Sequence, residues 1–415
     1  MSALRYGMIG GGFAAMFQHR GLAQVRGIDL VGYVSPDPVD HLIDFCRCHG
    51  MGEPRPFANI KQLAQNVDVL GIFAPNYVRL EIVEEIVDAV RAGAQLKGLI
   101  CEKPLARNVA EARHMLRLIA DLEIPTAYFE NQVHMKPVQV ARMQLGPVME
   151  AMGPPSLVRS NEEHAGPHSA WFWDPTRQGG GVMCDMGCHC LAVGWYVLTP
   201  PGKPVRFLEP VSVSADLALL KWGRPQWRQD LLERHGVDYA ATPAEDFATG
   251  MVTYRNPDDQ SLVKSQFTVS WMFDKQGLRL MLDALGPGYA LDFNTLRSPL
   301  EIFIGDAAAA GVADREAALE KLQASRGLLA AQPNEADLYG YTDENVDAVA
   351  AFREGRSALL DWEYGFEITR LTMAAYMAAE RKATVDLTDP ATLAELETFV
   401  PKIQQGQGAG VLGVS

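Results

Sequence analysis

The sequence predicts an α/β domain built on a parallel sheet, followed by an α+β domain with an open, mostly antiparallel mixed sheet. Three observations predict it. Over the first 130 residues, short apolar runs alternate with helix-like stretches, as in βαβ units whose parallel sheet is covered on both faces. A Gly-rich turn closes the first of these runs, at residue 10. After residue 135 the apolar runs lengthen and are separated by turn signals, as in an antiparallel or mixed sheet.

The elements follow in order. Residues 4–9 form the first strand and residues 13–25 the helix after it. Residues 28–34 form the second strand, closing on Ser35-Pro36-Asp37-Pro38. Residues 67–74 are the third strand, ending at Pro75-Asn76. Residues 77–91 are helical, because Ile82, Val83, Ile86, Val87 and Val90 recur at helical spacing. Residues 96–101 form the fourth strand, ending at Glu102-Lys103-Pro104, with a helix over 109–122 and a fifth strand over 125–129. In the second part, residues 157–160, 211–220, 248–254 and 261–271 read as strands, the last two joined by the turn Asn256-Pro257-Asp258-Asp259. Residues 221–244 read as a polar surface insertion with one helical turn. Residues 316–323, 343–354 and 364–381 read as helices, and the Gly-rich tail beyond Gln405 as loose.

Composition narrows the function classes. The chain has 415 residues and 48% hydrophobic residues, enough to fill sizeable cores. With 51 acidic against 37 basic side chains, a net charge of −14 disfavours nucleic acid or an anionic membrane as partner. No apolar run approaches the roughly 18 residues of a membrane helix, and the N-terminus enters a strand without a secretory segment. Six cysteines in so long a chain do not make a secreted disulfide framework, so a cytoplasmic location is expected.

The turn Gly10-Gly11-Gly12-Phe13-Ala14-Ala15 fits G-x-G-x-x-A between a strand and a helix. Gly10 permits the tight turn, Gly12 lets backbone approach a pyrophosphate, and Ala15 permits close helix–strand packing. Phe13 and Ala14 open the helix whose free N–H groups favour phosphate. At the end of the second strand, Ser35 tolerates either NAD or NADP, and Asp37 within reach of the ribose favours NAD. Ser35 reads equally as a helix N-cap with proline in the first turn.

Glu102-Lys103-Pro104 stands at the C-terminal edge of the parallel sheet, where such sheets bind ligands. Gly179-Gly180-Gly181 leads into Asp185 and His189, which on a helix would be i, i+4 neighbours on one face. Lys, Asp and His together suit reversible oxidation of an alcohol. A base takes the hydroxyl proton, hydride leaves carbon, and a cation steadies the developing oxyanion.

These motifs in this order resemble the glucose–fructose oxidoreductase / inositol dehydrogenase / rhizopine-catabolism (Gfo/Idh/MocA) family. The resemblance is carried by Gly10 to Ala15, Ala74-Pro75-Asn76, Glu102-Lys103-Pro104 and Gly179-Gly180-Gly181 followed by Asp185-Met186-Gly187-Cys188-His189. Trp171-Phe172-Trp173-Asp174, Glu245-Asp246 and residues 361–381 extend it. It implies a Rossmann domain over residues 1–133, and a substrate-binding and oligomerisation domain over 134–415 whose helix 364–381 packs back near the first. It implies an active site between the domains and a tightly held NAD or NADP. Lys103 would meet the substrate hydroxyl, His189 would be the general acid/base, and Asp185 would orient the substrate or the proton transfer. Glu102 and Pro104 would shape the nicotinamide pocket. It also implies a homo-oligomer, dimer or tetramer. Two places depart from the family pattern: Ala74, where threonine is common, and Tyr77 and Arg79, where a histidine is common.

On the substrate side, Asn131 reads either as a partner for a sugar hydroxyl or the nicotinamide amide, or as a capping or turn residue. The polar and aromatic stretch 162–173 offers His164, His168 and Trp173 as substrate contacts, with at least one of Trp171 and Phe172 read as core. The cysteines at 46, 48, 184, 188 and 190 are read as buried small hydrophobes rather than metal ligands, because Cys188 and Cys190 point apart on a helix; Cys101 is a strand residue. The expected function is hydride transfer between nicotinamide and a secondary alcohol of a sugar, cyclitol or glycoside. Two alternatives stay open: an NAD-dependent glycosidase acting by transient oxidation and elimination, and a non-catalytic dinucleotide-sensing protein.

Overall fold

A computed structural model describes residues 2–275, 277–297, 300–304, 327–331 and 335–414. The helix expected over residues 316–323 lies outside the described residues. The chain divides into two compact units, residues 1–136 with 336–370, and residues 137–335 with 371–415. The first junction falls three residues from the boundary read in the sequence, and residues 336–370 count with the first unit.

The first unit carries six strands: β1 (Leu4–Ile9), β2 (Ile28–Val34), β3 (Arg55–Pro56), β4 (Val69–Ile72), β5 (Gly98–Glu102) and β6 (Thr126–Phe129). They form one parallel sheet in the order β3-β2-β1-β4-β5-β6. β4, β5 and β6 are buried along their whole length: β4 and β5 as central parallel strands covered on both faces, and β6 as an edge strand covered by residues 357–360. The strand order reverses between β1 and β4, so their C-terminal ends flank the crevice where such folds take ligands. The Gly-rich turn follows β1, and Ala74-Pro75-Asn76 follows β4.

The helix Asp40–His49 escaped the sequence reading, because its charged and histidine residues mask an apolar set of Leu42, Ile43 and Cys46 that enters the core. The helix Tyr341–Arg353 completes the unit. Ala348, Val349 and Phe352 join its core, and Gln18 of the helix Phe13–Leu22 bonds Glu344 (2.8 Å) and Asn345 (2.6 Å). Residues 357–360 lie along β6, where Ser357 Oγ accepts from Thr126 N–H and Leu360 O from Tyr128 N–H.

The second unit carries β7 (Leu157–Glu163), β8 (Glu209–Ala218), β9 (Phe247–Arg255), β10 (Leu262–Ser270), β11 (Arg279–Gly286), β12 (Tyr289–Asn294), β13 (Leu300–Ile304), β14 (Gly327–Ala331) and β15 (Val385–Asp386). Seven form a mixed sheet in the order β12-β11-β7-β10-β9-β8-β15, in which only β7 and β10 run parallel. β13 and β14 form a separate antiparallel pair. The fold class expected from the sequence is therefore the one found, with β3 added to the parallel sheet, β11, β12 and β15 to the mixed sheet, and β13 and β14 as a separate pair.

Three sequence readings are corrected here. Residues 221–244 are not a polar loop with one turn: Pro225–His235 is an 11-residue helix, and Trp222, Leu231 and Tyr239 are buried. Their wide spacing hid three core anchors among polar neighbours. The tail is ordered, with a short helix at Gly408–Leu412, Gly408 buried, and Gln407 N–H bonded to Lys402 O at 2.8 Å. Finally, the helical stretch Pro175–Leu198 is long and apolar enough to cross a membrane, contrary to the reading that no run approaches that length. Its 18-residue apolar window is buried inside the unit, with only the leading Thr176 and Arg177 of the stretch exposed, as a core helix requires.

Candidate functional site

In the first unit, Gly10 has φ +103°, and a Cβ there would lie 2.8 Å from Ala74 N and Phe73 C. Only glycine meets both demands. Gly12 is different: a Cβ built on it meets nothing within 4 Å. Gly12 caps the helix Phe13–Leu22 with no side-chain hydrogen bond, and the first turn holds no acidic residue. Space is thus open beside Gly12 at the positive end of the helix, and these residues fit a dinucleotide pyrophosphate. Ser35 Oγ accepts the N–H of Asp37 (3.1 Å), forming a turn. It is not the N-cap of the next helix, which begins only after Val39.

Glu102-Lys103-Pro104 closes β5, with a cis peptide between Lys103 and Pro104. The buried Glu102 carboxylate accepts from Gln18 Nε2 and from Lys103 N–H, both at 3.2 Å. Lys103 N–H also bonds Phe129 O (3.1 Å), so its main chain is anchored while its side chain is half-buried. Behind it, burial and then the Glu102 charge push Glu344 well above the usual carboxylate range. Arg79 packs its guanidinium among the Ala74, Glu102, Lys103 and Pro104 carbonyls. Asn131 is buried, and its side-chain N–H donates to Tyr339 O at 2.7 Å, which favours the structural alternative for that residue.

In the second unit, Gly180 and Gly181 are packing glycines. A Cβ on Gly180 would sit on the Tyr376 hydroxyl, and one on Gly181 on the Glu245 carbonyl. Glu245 Oε1 accepts from Gly181 N–H (2.9 Å), Met183 N–H (3.0 Å) and the Tyr376 hydroxyl (2.6 Å). Tyr376 Oη in turn accepts Cys184 N–H at 3.2 Å. The carboxyl thus ties down the start of the segment that carries Asp185 and His189.

Full burial pushes the Glu245 carboxyl up to about 7. A carboxyl whose folded pKa exceeds its unfolded value favours the folded state at low pH. That contribution is complete below pH 4.5 and is lost as the pH rises through about 7. The expected loss is about 3 kcal/mol. In urea unfolding at pH 5 and pH 8, Glu245→Gln should remove this part of the difference; an identical pH dependence in variant and parent would refute it.

Asp185 stands in a π turn, Met183–Gly187, and the α-helix resumes at Cys188–Leu198. The regular α-helical spacing expected between Asp185 and His189 is therefore corrected to one widened by a π turn, a feature frequent at functional sites. Both residues are buried. Asp185 Oδ2 accepts the Trp271 indole N–H at 3.3 Å, and His164 Nε2 lies 3.9 Å from the same oxygen. His164 Nδ1 accepts Gly166 N–H (2.9 Å), so a neutral His164 carries its proton on Nε2, toward Asp185.

The structure reverses the reading of the aromatic stretch. Trp173 is 1% exposed, packs on Trp222 (4.7 Å) and Trp271 (4.9 Å), and gives its N–H to Pro167 O. It is core and not an open sugar-binding face. Neither Trp171 nor Phe172, of which at least one is expected in the core, is fully buried: they are half-buried and stacked on each other at 3.8 Å, with His168 half-buried at 6.3 Å from Phe172. Cys46, Cys101, Cys184, Cys188 and Cys190 are buried, and Cys48 is exposed. Among the described residues no group of three or more His, Cys, Asp or Glu is placed to hold a metal.

Sequence reasoning missed Gln18, Glu344, Asn345 and Trp271. Gln18 bonds Glu102 and Trp271 bonds Asp185 across 84 and 86 positions, and Glu344 and Asn345 reach Glu102 only through Gln18, so no local pattern marks them.

A model of the oxidoreductase family with NAD-binding Rossmann fold matches residues 4–125. One of the GFO/IDH/MocA C-terminal domain matches residues 149–283. Among curated proteins, the uncharacterized protein YMR315W of Saccharomyces cerevisiae is 26% identical over 161 residues, 36% of this chain and 42% of the relative. The chain thus spans about two-fifths of that relative's length. Among solved structures, GenD2 from gentamicin A biosynthesis in complex with NAD is 20% identical, with a TM-score of 0.70 over 93% of this chain and 97% of the other. A putative myo-inositol dehydrogenase from Sinorhizobium meliloti 1021 is 17% identical, with a TM-score of 0.66 over 93% and 100%. Levoglucosan dehydrogenase in complex with NADH and levoglucosan is 20% identical, with a TM-score of 0.66 over 93% and 99%. At these identities the likeness is one of fold.

Proposed function

The chain belongs to the Gfo/Idh/MocA family of NAD-binding oxidoreductases, and from that premise we propose that it moves hydride between nicotinamide and a secondary alcohol of a sugar, cyclitol or glycoside. The observation that carries this reading is the buried Asp185 carboxylate, held by Trp271, faced by His164 and four residues ahead of His189. Buried acid and base groups clustered in this way are suited to moving a hydroxyl proton.

NAD, when bound, supplies the hydride acceptor and donor. Gly10, Gly12, Phe13, Ala14 and Ala15 would hold its pyrophosphate, Ser35 and Asp37 its ribose, and Ala74, Pro75, Asn76 and Glu102 its nicotinamide side. His189 takes the alcohol proton, and Asp185 orients the transfer. The Lys103 ammonium steadies the oxygen as negative charge develops on it. His164 holds Asp185, and His168 with Trp171 and Phe172 offers a polar and aromatic lining for a carbohydrate. The polyol dehydrogenases among the structural neighbours support this substrate class.

The test is direct. Purified protein should bind NADH, and NAD should be reduced, read at the nicotinamide absorbance, with at least one member of a panel of sugars, inositols and glycosides. No binding of NADH or NADPH would sink the reading. Cleavage of a glycoside without net nicotinamide change would replace it with the glycosidase alternative.

A further inference from the structure

Arg79 opens the helix Arg79–Arg91, where the helix dipole disfavours a cation, and it is only 4% exposed. A buried guanidinium needs its donors met. Here main-chain carbonyls of two loops meet them. Nε donates to Ala74 O at 3.0 Å, one terminal nitrogen to the Glu102 and Pro104 carbonyls, and the other to Lys103 O at 3.2 Å. The β4–β5 ladder ends at the pair Ile72↔Cys101, and beyond that pair the guanidinium bonds carbonyls of both loops.

We propose that Arg79 is a positioning residue that clamps the Ala74-Pro75-Asn76 loop to the Glu102-Lys103-Pro104 loop and so fixes the point from which the Lys103 side chain reaches. The proposal rests on the reading above, in which both loops serve the nicotinamide and Lys103 the substrate. The planar fork of five donors suits several carbonyls at fixed angles; a lysine ammonium, a point charge on a flexible stem, does not.

The test uses the full chain with Arg79→Ala and Arg79→Lys. Hydrogen exchange in peptides covering residues 74–78 and 102–106 is expected to rise at least tenfold in both variants, with β1 and β6 unchanged. NADH affinity, read by nicotinamide fluorescence, is expected to fall about tenfold in Arg79→Ala. Guanidinium chloride at a low, non-denaturing concentration should restore it, and methylammonium chloride should not. A merely structural cavity would not discriminate between the two cations. Unchanged exchange in both loops, or equal rescue by both cations, overturns the proposal. Where Arg79→Ala does not fold, Arg79→Lys carries the exchange comparison. Failure of the unchanged protein to bind NADH refutes the functional reading, while the exchange result still decides whether Arg79 is the clamp.

Discussion

Lys103→Ala is expected to lower turnover about 10³-fold while leaving the melting temperature and NADH binding nearly unchanged. The folded state should survive because the bonds that place residue 103, from its N–H to Phe129 O and to Glu102 Oε1, are donated by its main chain, which alanine keeps. What alanine removes is the ammonium. If Lys103 steadies the developing oxyanion, the loss falls on the transition state, so kcat drops and the affinity for cofactor does not. Steady-state kinetics together with NADH titration checks it. Turnover within tenfold of the parent would remove Lys103 from the chemistry.

Gly181→Ala and Gly12→Ala are expected to fail in opposite ways. At position 181 the new Cβ would land on the Glu245 carbonyl, which is main chain and already bonded to Val182 N–H at 3.0 Å. Neither group can move without breaking the Glu245 bonds to Gly181 and Met183. A loss of about 3 kcal/mol or more in stability is expected, with poor soluble yield. At position 12 the Cβ meets nothing within 4 Å, and the backbone angles of φ −82° and ψ −159° suit alanine. That variant should melt within a few degrees of the parent yet bind NADH at least tenfold more weakly, because the methyl occupies the approach to the phosphates. Thermal unfolding and NADH titration separate the two. A stable Gly181→Ala protein, or one with Gly12→Ala and full NADH affinity, would contradict the roles given to these glycines.

The first unit was legible because parallel strands are short apolar runs and the turn after β1 has a conformational requirement that Gly10 announces. The α+β character of the second part also followed from its longer runs and the turn at Asn256. The order of motifs gave Lys103, Asp185 and His189 as candidates. What could not be read was whatever depends on partners distant in sequence. Arg79 was visible only as a departure from a common histidine, since the carbonyls it serves lie up to 25 residues away. Trp173 and its neighbour Trp171 look alike in sequence; only the packing of Trp222 and Trp271 makes the first one core. The π turn at Met183–Gly187 likewise arises where Glu245 and Tyr376 grip the chain, a constraint absent from local propensity.

The first unit is built from two stretches of chain, and this limits how the protein can be taken apart. A gene fragment ending at residue 136 would encode all six strands of the parallel sheet and still leave Gln18 without Glu344 and Asn345, the edge of β6 without residues 357–360, and the core without Phe352. Its buried polar groups would then be stranded, which is costly. The dinucleotide unit is therefore not a module that recombination can lift out as a single exon-like cassette. Any exchange between relatives must carry both stretches or the whole chain, so the two units are expected to share one evolutionary history.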